Sequence, residues 1–200
     1  MKEITIAVPD GKKAEWVNGV LTLIDEEVND NRPVMERIKT FEDALNELGN
    51  EHNLVCEYKT LLSVATREDF LADNLGYDVV AYLKLRIIAA ALNEGWEPHF
   101  SDDEYRYYPW FTLWTEEELK EKSEKWKADH ALWRFGGPSA DGSKCGLACA
   151  SSNNVWSYSN ADCSARLAVK SVELADYFGK QFIDIWADYV GQFNRKESEE

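Results

Sequence analysis

The residues best suited to chemistry in this chain are short, polar and grouped. Ser151, Ser152, Asn153, Asn154, Ser157, Ser159 and Asn160 crowd into one stretch, with Trp156 and Tyr158 among them. Hydroxyls and carboxamides both donate and accept hydrogen bonds, and they compete with the backbone for partners. Such residues favour turns and adaptable surface, while Trp and Tyr add rigid contact area with a polar tip. The combination suits recognition better than bond-making, as in aromatic-anchored paratopes. Ser151, Ser152, Asn153, Asn154, Trp156, Tyr158 and Asn160 are therefore the expected partner-binding residues. The same composition also suits a long, poorly ordered loop, and the sequence leaves both readings open.

Catalytic arrangements fare worse. The sequence has no Walker glycine loop, dinucleotide fingerprint, GxSxG elbow or HExxH. His52, His99 and His130 fall in separate segments without a partnered motif. Asp102, Asp103 and Glu104 cluster, but without the glycine and spaced ligands of a calcium loop. The spacing of Cys145, Cys149 and Cys163 matches no common zinc pattern, so small buried thiols are expected and no metal or other cofactor is assigned. Carboxylate pairs for glycoside hydrolysis are set by three-dimensional separation, and 37 acidic residues give no way to choose a pair.

Several elements must position these residues. Two hundred residues suit one domain with a small appendage, and 44% hydrophobic content with eight Trp, nine Tyr and eight Phe argues against disorder. At the start, 14–17 and 20–24 face each other across Asn18-Gly19, a strong hairpin signal, and 4–8 reads as a further short strand. An acidic linker follows at 25–33. Thr40 caps a helix to Leu48, with Asp43 completing a capping box and Gly49 as the stop. Residues 49–72 are ambiguous; 78–93 is a strong helix with Val79, Tyr82, Leu83, Ile87, Ala90 and Ala91 at helical spacing. Residues 110–114 read as a buried aromatic strand, and Thr115 with Glu118 opens a charged helix through about Trp126.

After the polar stretch, 165–169 reads as a short strand leading into a long amphipathic helix capped by Ser171. Its stripe of Leu174, Ala175, Phe178, Phe182, Ile185, Trp186 and Tyr189 is core. Phe178, Phe182, Ile185 and Trp186 are expected against the 79–91 helix or the 110–114 strand. Gly179 is the weak spot, unless a neighbour packs closely against it.

The expected fold is thus α+β: an N-terminal β-hairpin, several amphipathic helices on a small antiparallel sheet, and a long C-terminal helix. The expected parts are a hairpin appendage (1–30), a main α+β domain (31–192) and a disordered tail (193–200). A net charge of −15 disfavours direct nucleic-acid binding and anionic membrane surfaces. No apolar run reaches bilayer length and the start lacks a signal-peptide core, which predicts a cytoplasmic or virion-associated protein.

Four phrases together resemble a group of uncharacterised proteins of gut bacteria and of their phages and prophages: RPVMERIKTFEDALNELG, YLKLRIIAAALNEGWEP, EYRYYPWFTLW and SSNNVWSYSNADCSARLAVKSVELADYFGKQFIDIWADYV. The resemblance spans roughly residues 32–190 and implies no assigned activity. The polar stretch before SARLAVKS is also similar to Ser/Asn/Tyr-rich variable segments of phage-associated C-type-lectin-like binding domains, which implies a binding face. In those domains the segment lies near the C-terminus, whereas here a helix follows it.

The leading expectation is a phage- or prophage-associated, non-enzymatic module that recognises a protein or glycan through 151–160. The alternatives are an acidic inhibitor or nucleic-acid-mimicking decoy, suggested by the charge, and a hydrolase.

Overall fold

The computed structural model describes residues 7–9, 12–17, 19–25, 30–65, 76–99, 104–134, 144–155 and 165–190. For residues 150–155 it describes the backbone. The fold is α+β, and it divides into two units at Pro33.

The first unit holds strands β1 (Lys12–Val17) and β2 (Val20–Asp25), paired antiparallel from Lys12↔Asp25 to Val17↔Val20. Gly19 takes φ +81°, the left-handed conformation that the Asn-Gly turn predicts. Most of the expected 4–8 strand lies outside the described residues, and Ala7, Val8 and Pro9 are not in a strand.

In the second unit, α1 (Val34–Arg37), α2 (Phe41–Leu48) and α3 (Asn53–Ala65) lead to the central helix α4 (Tyr77–Asn93). Both halves of the expected Thr40–Asp43 capping box form, and Gly49 ends α2. Helix α4 is buried more widely than a single stripe, at Val80, Ala81, Leu85, Ile87, Ile88, Ala89, Ala91 and Leu92. Its alanines let neighbouring helices approach on several sides, and Val79, expected on the stripe, is exposed at the first turn.

Strands β3 (Arg106–Thr115), β4 (Trp133–Arg134) and β5 (Lys144–Val155) form an antiparallel sheet in the order β3-β5-β4. The expected strand at 110–114 lies inside β3, but its side chains are not all core: Trp110 and Leu113 are exposed. Pro109 sits mid-strand without harm. Tyr107, two residues earlier, points its amide and carbonyl away from β5, so Pro109 occupies an outward position that needs no ladder donor.

The helix opened by Thr115 ends sooner than its charge pattern predicts. It divides into α5 (Glu116–Lys120) and α6 (Glu124–Asp129), because Ser123 starts a second helix by accepting a hydrogen bond from the Trp126 amide at 3.1 Å.

The C-terminal helix is also interrupted, into α7 (Val172–Gln181) and α8 (Ile183–Val190), with Phe182 at φ −114° and ψ 33°. The cause is visible in its stripe. The Trp186 indole N–H donates to the Phe178 carbonyl at 3.2 Å, an acceptor that a continuous helix would offer to the Phe182 amide. Phe178, Phe182 and Trp186 are buried as expected, and Ile185 partly so. Trp186 meets Phe178 at 4.9 Å and Phe111 of β3 at 5.2 Å between ring centroids. Phe182→Ala is expected to cost ~3–5 kcal/mol in a denaturant melt, the usual range for emptying a buried Phe site.

Gly179 is a point of close approach between α7 and the sheet. A Cβ there would lie 2.7 Å from Cys149 Sγ and 2.7 Å from Pro109 Cβ. Both are side-chain atoms, one in the rigid Pro109 ring and one on the short, buried Cys149 side chain, so neither has much room to give. Gly179→Ala gains ~1 kcal/mol of helix propensity but meets an overpacking cost of ~1–3 kcal/mol. A net loss of stability is expected, and a calorimetric melt that rises instead would contradict the packing.

Candidate functional site

The expected binding residues divide at Val155. Trp156, Tyr158 and Asn160 lie outside the described residues, as do Ser157 and Ser159. Ser151, Ser152, Asn153 and Asn154 lie in β5, in a paired strand and not in a loop. Their partners on β3 are Trp110, Pro109, Tyr108 and Tyr107, and Val155 pairs with Arg106.

Strand β5 carries a bulge where this polar half begins. Phe111 pairs with Cys149 and Trp110 with Ser151, so Ala150 is the extra residue. Before the bulge, Gly146, Leu147, Ala148 and Cys149 are buried. Burial pushes the Cys149 thiol up to about 11, so it stays protonated as a small apolar side chain. The side chain of Cys145 and all of Cys163 lie outside the description, so the zinc question rests on residues beyond it.

The chain beyond the polar stretch returns to the same place on β3. The expected strand at 165–169 is instead a 3-10 turn (Ala165–Leu167) followed by a single antiparallel bridge from Val169 to Tyr107. Val169 N–H donates to the Tyr107 carbonyl at 2.8 Å and the Tyr107 amide returns a bond at 3.1 Å. Those groups of Tyr107 point to one edge of β3, so β5 lies along the other. The ladder stops at one bridge because the 3-10 turn precedes Val169 and Ser171 caps α7 directly after it, while a side chain, Asn93, and not another strand, occupies the far side of this segment. Its amide donates to the Ala168 carbonyl at 2.9 Å, and its oxygen accepts from the Lys170 amide at 3.1 Å.

Asn93 is 4% exposed and sits at the C-terminus of α4, where Glu94 turns left-handed at φ 49°. Around it, Lys170 Nζ bonds the Asn93 carbonyl at 3.3 Å and Glu94 at 2.8 Å, while Arg37 bonds Glu94 at 2.6 Å and also reaches Glu47. The Lys170 hydrogen bond, with the nearby positive charges, holds the Glu94 carboxyl below its ordinary range. By sequence Asn93 is only the end of a helix. Its partners lie more than seventy positions away, so no local pattern announces them.

A second cluster lies at the other end of β3. Trp114 meets Trp126 edge-on at 5.2 Å, and Trp126 stacks on His130 at 4.2 Å. The Lys122 ammonium sits 4.6 Å from the Trp114 ring centre and 5.1 Å from that of Trp126. His130 Nδ1 lies 2.8 Å from the Trp126 carbonyl, a contact that holds the ring in place. Among the described residues no three His, Cys, Asp or Glu side chains gather at metal-binding distance, and no helix is long and apolar enough to cross a membrane.

No protein-family model, curated protein or solved structure matches the chain.

Asn93→Ala removes both bonds to the 168–170 segment and leaves the Ala168 carbonyl and Lys170 amide without them. The expected loss is ~1–3 kcal/mol of stability, with faster hydrogen exchange at the Lys170 amide. Unchanged exchange there would show that the side chain does not hold the segment.

Proposed function

We propose that this chain is a non-enzymatic binding module, phage- or prophage-associated, that recognises a protein or glycan through the 151–160 segment, with Trp156 and Tyr158 as anchors. One observation carries the reading: both described ends of the polar stretch attach to neighbouring residues of one strand. Val155 pairs with Arg106, and Val169 bridges Tyr107. A recognition segment gains affinity when its supports are rigid, because less conformational entropy is lost on binding. Here the supports are a paired strand at one end and a segment held by Tyr107 and Asn93 at the other. The phage association comes from the sequence resemblance.

The test is a Trp156→Ala/Tyr158→Ala double variant compared with wild type in partner capture from bacterial lysate and on a glycan array. A fall in capture of at least tenfold with an unchanged melting curve is expected, since anchor residues carry a large share of binding energy. Capture equal to wild type would sink the reading.

A further inference from the structure

The polar half of β5 lies beside an exposed indole that the sequence placed in the core. Along β3, Tyr108, Trp110, Thr112 and Trp114 alternate with residues that meet the C-terminal helices, Pro109 against Gly179 and Phe111 against Trp186. They therefore belong to the opposite face of the sheet. Near Trp114 that face is covered by Trp126 and Lys122. Tyr108 on the same face is buried, and between these covered positions Trp110 is 47% exposed.

Trp110 pairs with Ser151, and Ser152, Asn153 and Asn154 follow along the same strand. From 145 to 161 the sequence carries no charged residue, in a chain whose net charge is −15. An anionic polymer needs cations to replace its counterions, and this stretch supplies none. An indole that anchors a protein contact is usually ringed by groups that exclude water, whereas the strand neighbours here are hydroxyl and carboxamide residues. A neutral sugar matches both features. The apolar C–H face of its ring suits an indole plane, and its hydroxyls suit Ser and Asn, which both donate and accept.

We propose that the sheet face around Trp110 binds a neutral oligosaccharide, with the Trp110 indole stacked on one sugar ring and the Ser151 and Asn153 positions, which pair with Trp110 and Tyr108 and so share its face, taking the hydroxyls. This rests on the binding-module reading of the polar strand and adds to it the ligand class and a residue outside the polar segment.

The full chain is titrated by calorimetry with neutral hexasaccharides (β-1,4-linked glucose, N-acetylglucosamine and mannose, and α-1,4-linked glucose) and with polygalacturonate as an acidic counterpart. One neutral hexamer is expected to bind. Trp110→Ala should weaken it at least tenfold, Trp110→Phe should keep most of the affinity, and polygalacturonate should not compete. Because Trp110 is half exposed, both variants should stay folded with a cooperative melt, which circular dichroism checks. Binding by no neutral hexamer, affinity indifferent to Trp110→Ala, or preference for polygalacturonate would each overturn the proposal. If no hexamer binds but protein capture still depends on Trp156 and Tyr158, the glycan proposal fails and the module reading stands. If a hexamer binds through Trp110 while the Trp156→Ala/Tyr158→Ala variant captures as wild type, the segment reading fails and the sugar site stands.

Discussion

Asn93 gives both ends of its carboxamide to the backbone on either side of Val169, and much of the second unit depends on that exchange. In an extended segment, successive amides and carbonyls point to opposite sides. Val169 uses one side for Tyr107, so the Ala168 carbonyl and the Lys170 amide face the other way, into the end of α4. Buried backbone groups left without partners are costly, and another strand would be the usual solution. Here one side chain serves as a one-residue strand. It joins the central helix, the sheet edge and the start of α7 at a single point, and the Lys170–Glu94–Arg37 ion pairs lie over it at the surface.

The helices then close over the sheet through close approach and aromatic bulk. Gly179 lets α7 come down onto Pro109 and Cys149, and Phe178, Phe182 and Trp186 fill the space between α7, α8 and β3. Two further bonds tie α7 to the turn between α1 and α2: Tyr177 to the Ile38 carbonyl at 2.6 Å, and Gln181 to the Lys39 carbonyl at 2.8 Å. The interruption at Phe182 belongs to the same design, since the indole that fills the core also takes a carbonyl from the helix ladder.

Many features with a local cause are legible in the sequence, although the Ser123 cap that splits the helix after Thr115 is local too. The Thr40 and Thr115 capping boxes, the Asn-Gly hairpin and the Phe178–Trp186 stripe each depend on residues within a turn or two. The α+β class follows from the same periodicities. What the sequence hid came from distant partners or from side-chain directions that spacing does not give. The exposure of Trp110 depends on where α5 and α6 stop covering the sheet, and the role of Asn93 on a segment far along the chain. The helix break at Phe182 required knowing where the Trp186 indole points. At the candidate site, composition picks out the polar residues but points to turns, adaptable surface or a loop. Strand pairing with β3 decided otherwise for Ser151 to Asn154, because neither Ser nor Asn favours a strand by itself.

The bulge at Ala150 has a consequence for how this sequence can vary. Side chains in a strand alternate with a period of two, so a one-residue slip normally sends every later residue to the wrong face. The extra residue stands between the buried half of β5 and its polar half. It separates the phase of the two, so that Gly146 can meet Leu119 and Leu132 and Cys149 can meet Gly179 of α7 while the polar half keeps its own register with β3. Losing that one residue would shift the register of one half against β3 and turn its side chains to the opposite face, so the length of the strand at 150 is as constrained as the chemistry on either side of it.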